Sequence, residues 1–123
     1  MRGTARGAAT ARWRLDTMVA ASAVSELAQY SSCEVADALI KLRLPHGGYL
    51  PGLEPMAGAT SVCGPAFTVR MVWQSEEHAP RLSKHFMDVA ERDSIMLISA
   101  PSSARSAVWG GLMTARAQSV GVR

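Results

Sequence analysis

Ile95-Met96-Leu97-Ile98, then Ala100-Pro101, a serine-rich loop (Ser102, Ser103, Ser106), Trp109-Gly110-Gly111-Leu112 and a polar-apolar stretch closed by Gly121 form the segment that decides the fold. A short, wholly apolar run between turn residues has the form of a strand buried on both faces, and it predicts the centre of a sheet. Leu112 to Val120 predicts a helix, with Gly121 as its C-terminal stop. Strand, loop, glycine pair and helix are most of a βαβ unit, whose right-handed crossover returns to the sheet after the helix. Only Val122-Arg123 follow Gly121. The expectation is an α/β fold incomplete at its C-terminal end.

Upstream, Phe67, Val69, Met71 and Trp73 alternate with Thr68, Arg70 and Val72, a half-buried strand introduced by Gly64-Pro65. Leu82, Phe86, Val89 and Ala90 recur at helical spacing and predict a helix before Arg92-Asp93 turns the chain. Ser31-Ser32-Cys33-Glu34 has the S-x-x-E spacing of a capping box. A helix is expected to start there, with Val35, Leu39 and Leu42 as its apolar stripe and Pro45 with Gly47-Gly48 as its end. Ala20, Val24, Leu27 and Ala28 predict another ahead of it, ending near Tyr30. Between Pro45 and Gly58, three prolines and four glycines read as a crossing loop pinned by Tyr49, Leu50 and Leu53.

The 123 residues are enough for one core, and 48% apolar against 19% charged residues excludes a disordered chain. No apolar run approaches the roughly 20 residues that cross a bilayer, so no membrane partner is expected. The net charge of +3 rests on Arg2, Arg6, Arg12 and Arg14, all ahead of the first acid, Asp16. Without them nine basic residues face ten acidic ones, with no basic stripe for a nucleic acid. Residues 1–14 therefore read as a basic, disordered leader, or as a mitochondrial presequence, and residues 15–123 as the domain. Cys33 and Cys63, without a CxxC pair, suit a reducing compartment: the cytoplasm, or the mitochondrial matrix if the leader is a presequence.

The start of the last helix is the best local candidate for chemistry. First-turn amides lack intrahelical partners and carry the positive end of the helix dipole, so they bind carboxylate or phosphate. Gly110-Gly111 admits a ligand close to the backbone, and equally suits a tight turn where helix meets sheet. Arg105 in the preceding loop and Arg70 on the strand's polar face are candidate anion contacts, with ordinary surface placement as the alternative. His46, His78 and His85 form no metal-ligand spacing, and GxSxG, GxxxxGK[ST] and GxGxxG are absent. Glu76-Glu77 reads as a solvated turn and Asp37 as a solvent-facing charge.

Three blocks together carry a resemblance: Ser32-Cys33-Glu34-Val35-Ala36-Asp37-Ala38-Leu39, Cys63-Gly64-Pro65-Ala66-Phe67-Thr68-Val69, and Ala107-Val108-Trp109-Gly110-Gly111-Leu112-Met113 with Ala117 and Gly121. In order and spacing the chain resembles the RraA-like family, which includes the regulator of ribonuclease activity A and the divalent-metal-dependent aldolases for 4-hydroxy-4-methyl-2-oxoglutarate. The resemblance implies a swivelling β/β/α fold, homo-trimers or hexamers, and a site at the subunit junction for a small keto acid. It implies pyruvate aldolase activity with oxaloacetate decarboxylase activity, in which Mg²⁺ or a similar cation stabilises the pyruvate enolate common to both reactions. Carried over, the substrate-binding turn falls on Gly110, Gly111, Leu112 and Met113. Two departures stand out. Where the family often has an acid between that glycine and the leucine, this chain has Gly111. The family's D-G-x-x-R-D motif, whose Asp anchors the metal, would fall about ten residues past Arg123, beside the missing return strand. No metal ligand is assigned in this chain, which leaves a non-catalytic protein-binding module or an inactive fragment as the alternative. A methyltransferase, a label some relatives carry, lacks its glycine-rich nucleotide loop here.

Overall fold

The computed structural model describes residues 5–9, 17–58 and 61–123. The chain divides into two compact units, one of Leu15–Cys63 and one of Met1–Arg14 with Gly64–Arg123. Within the stretch expected to be one domain, the junction thus falls between Cys63 and Gly64.

In the first unit, α1 spans Thr17–Leu27 and α2 spans Ser32–Lys41. The capping box that predicted α2 is formed: Ser31 N donates to Glu34 Oε2 at 2.8 Å and Glu34 N donates to Ser31 Oγ at 3.3 Å. A 3₁₀ turn at Pro45–Gly48 follows, where Gly47 has φ +54° and a Cβ would lie 3.0 Å from Ala36 O. Only glycine suits both the left-handed backbone and that approach to α2. The expected stripe is only half realised: Val35 and Leu39 are half-buried, whereas Leu42 is 72% exposed.

The second unit is built on a sheet of order β1-β2-β3, with β1 at Ala5–Ala9, β2 at Ala66–Trp73 and β3 at Ile95–Ser99. β2 pairs parallel to β3 from Ala66↔Ile95 to Arg70↔Ser99, and antiparallel to β1 from Ala9↔Val69 to Ala5↔Trp73. Two expectations are corrected. Ala5–Ala9 of the disordered leader forms a strand, because β2's other edge offers unpaired backbone groups that an added strand satisfies; residues 1–4 and 10–14 of that leader lie outside the described residues. The central strand is β2 rather than Ile95–Ile98. β3 borders the sheet among the described residues, and Leu97 is 36% exposed.

The core lies on one face of this sheet, where Val69 and Met71 of β2 meet Phe86, Met87 and Ala117, with Phe67, Leu82, Met96, Ile98 and Met113 packed around them. The predicted alternation of β2 therefore holds, while Val72, on the other face, is buried as well. The helix expected across Leu82 to Ala90 shrinks to one turn, α3, at Phe86–Val89. His85 and Ala90 are both extended, and His85 Nδ1 accepts from Met87 N at 3.2 Å, so the helix is fixed at both ends while Leu82 packs from irregular chain. α4 spans Gly111–Val120. Gly121, at φ +84°, ends it, with Val122 N donating to Ala117 O at 2.9 Å. Among the described residues no helix is long and apolar enough to cross a membrane.

Candidate functional site

Because β2 and β3 are parallel, the chain leaves both at the same end of the sheet, the carboxyl end where open α/β sheets hold ligands. The 100–110 loop follows β3 and delivers α4. Gly110 precedes the helix at φ −159° and ψ 178°, and no side chain caps it. The first intrahelical bond is Thr114 N to Gly110 O at 3.0 Å. The amides of Gly111, Leu112 and Met113 are the donors that a helix start leaves open.

The glycine pair is not explained by a tight turn. Gly110 is extended, a conformation open to any residue, and a Cβ on Gly110 or Gly111 would meet nothing within 4 Å. Neither strain nor packing demands glycine here. What the pair preserves is free access to the backbone. Its neighbours divide the work: Met113 packs into the core and anchors the turn, while Leu112 is 90% exposed. Trp109 Nε1 donates to Thr114 Oγ1 at 2.9 Å, tying the loop to the helix. The first turn carries no acid, so an anion meets no opposing charge on α4's first turn.

Arg105 is exposed in the loop and forms no hydrogen bond or ion pair among the described residues. Arg70 is engaged elsewhere, 3.6 Å from Glu76 Oε2. It lines an open cavity of about 480 Å³ with Val72 and the 75–80 loop, and Arg105 and Gly110–Met113 are not among the lining residues. That cavity was not foreseen. Glu76-Glu77 is a built turn, because Glu76 Oε1 accepts from Trp73 N at 3.2 Å and Arg81 Nη2 donates to Gln74 O at 3.0 Å. The available signal was an arginine on the polar face of a strand with two adjacent acids, Glu76 and Glu77, in the turn just beyond the strand's end.

The histidines stay apart in role: His46 sits in the 3₁₀ turn, His78 lines the cavity, and His85 caps α3 with its ring 4.4 Å from that of Phe86. Among the described residues no three His, Cys, Asp or Glu side chains group to hold a metal. Two carboxylates are already matched, Asp88 to Arg116 of α4 at 3.1 Å and Asp93 to Arg123 at 2.9 Å. The described residues therefore do not fit a divalent cation. They fit an anion.

Residues 32–123 match the RraA-like family, described as Aldolase/RraA, and the chain belongs to that family. No curated protein and no solved structure matches the chain.

Proposed function

We propose that this chain is a lyase of the RraA-like family, a pyruvate aldolase acting on 4-hydroxy-4-methyl-2-oxoglutarate that also decarboxylates oxaloacetate. The observation that carries the reading is the uncapped, glycine-lined and acid-free start of α4, within a family that includes aldolases. The free amides of Gly111, Leu112 and Met113 bind the carboxylate beside the keto group, and Arg105 adds a positive charge from the loop. Holding that carboxylate orients the bond to be broken, a carbon–carbon bond in both reactions. The reading includes the swivelling β/β/α arrangement, assembly as a trimer or hexamer, and a divalent cation, Mg²⁺, for which the described residues assign no ligand.

The assay is pyruvate release from oxaloacetate, with and without Mg²⁺. Release above the rate of Mg²⁺ alone supports a lyase, and none above it contradicts one. A non-catalytic protein-binding module is favoured by a different observation: the unit Leu15–Cys63 exposes Leu42, Tyr49, Leu53 and Met56. A stable partner that co-purifies with an inactive protein would decide for that reading.

A further inference from the structure

The cavity of about 480 Å³ beside β2 has no part in the chemistry proposed for the start of α4, yet its volume falls in the range that takes small ligands, about 300–1,000 Å³. It stands at the carboxyl end of the sheet's central strand, on the face away from the core, where Arg70 and Val72 lie two residues apart. The turn that encloses it is firmly held. Trp73 N donates to Glu76 Oε1 at 3.2 Å, Glu76 N to Trp73 O at 3.0 Å and Ala79 N to Glu76 O at 3.2 Å, while Arg81 Nη2 donates to Gln74 O at 3.0 Å. Val72, 2% exposed, gives the cavity an apolar surface that Ala79 and Pro80 extend. Its charges are of both signs. Arg70 Nη2 is 3.6 Å from Glu76 Oε2, longer than a charge-assisted hydrogen bond of about 2.7–2.9 Å, and pairs with no other carboxylate among the described residues. Glu77, next in the chain, is exposed and its carboxylate has no partner among them. An anion alone would face Glu76 and Glu77, and a cation alone would face Arg70. A molecule carrying both charges beside an apolar group meets neither penalty.

We propose that this cavity binds a small zwitterion with an apolar side group, an α-amino acid, with its carboxylate on Arg70, its ammonium on Glu76 and Glu77, and its side group against Val72, Ala79 and Pro80. The site shares no residue with the start of α4 and stands whether or not that turn holds a keto acid. A keto acid lacks the ammonium group, so the two sites select different ligands.

The test is titration of the whole ¹⁵N-labelled chain with L-leucine, following backbone amide resonances, beside two molecules that each carry one of its charges, 4-methylpentanoate and 3-methylbutylamine. Both protein charges stand at the surface, so a roughly millimolar Kd is expected for L-leucine, with saturable shifts at Arg70, Val72 and residues 75–79. The acid and the amine are each expected to bind at least about tenfold more weakly, because each leaves one charge of the cavity unmatched. Arg70→Gln and Glu77→Gln should each weaken L-leucine about three- to tenfold, and Glu77→Gln breaks no side-chain contact of the free protein. No saturable shifts in the cavity with L-leucine would overturn the proposal. So would an acid or an amine that binds as tightly as L-leucine, which would make this a site for one charge only, or a Glu77→Gln variant that binds as the parent does.

Discussion

Replacing Gly111 with Ala separates what this residue does for the chain from what it does for a ligand. It occupies the first position of α4, and its Cβ would meet nothing within 4 Å. Alanine loses less backbone entropy than glycine in a helix, about 1 kcal/mol in the interior and here taken as about 0.5 kcal/mol in the first turn. In a chain of this size that corresponds to a rise in Tm of about 2–4 °C. The new methyl would stand beside the amides, where the carboxylate has to approach. Loss of one charge-assisted hydrogen bond costs about 1.5–3 kcal/mol, which is tenfold or more in affinity. Thermal melts followed by circular dichroism and calorimetry with pyruvate read the two effects separately. A more stable protein with weakened binding is expected. A more stable protein with unchanged affinity would refute the argument that the glycine serves a ligand.

Arg105→Ala is expected to weaken pyruvate binding about two- to fivefold in low salt and to leave Tm unchanged, since Arg105 has no partner among the described residues; unchanged affinity in calorimetry would remove it from the site. Met87→Ala opens a cavity at a side chain only 1% exposed and should cost about 2–5 kcal/mol in urea unfolding, whereas a cost below about 1 kcal/mol would place Met87 outside the core. Hydrogen bonds from the Ser31 backbone and side chain hold Glu34 below its ordinary 4.5, so its contribution is complete above 4.5 and is lost as the pH falls through the lower folded value. Helicity measured during acid titration should therefore fall below pH 4.5, and Ser31→Ala, which removes the hydroxyl half of the box, should shrink that pH dependence; an unaltered acid profile in the variant would contradict this.

Local chemistry made several elements legible. Ser31 and Glu34 specify α2's start through groups three residues apart, Gly121 specifies α4's end through one left-handed residue, and β2's alternation answers to the face that packs on the core. The failures come from properties that depend on distant chain. Ile95-Met96-Leu97-Ile98 is apolar throughout, but strand order depends on what pairs on each side, and Ala5–Ala9 takes the far edge of β2 and makes β2 central. Leu82 and Phe86 do share the core, yet spacing alone did not show that His85 would fix the helix start only one residue before Phe86. The glycine pair was visible in the sequence. That nothing in the chain crowds it, and that Trp109 bridges to Thr114, required coordinates.

The most direct measurement is a titration of the ¹⁵N-labelled chain with pyruvate, following backbone amide resonances. Saturable shifts centred on Gly111, Leu112 and Met113 are expected, with smaller ones at Trp109 and Thr114. Shifts centred instead on Arg70 and the 75–80 loop, or no saturable shifts at the start of α4, would contradict it.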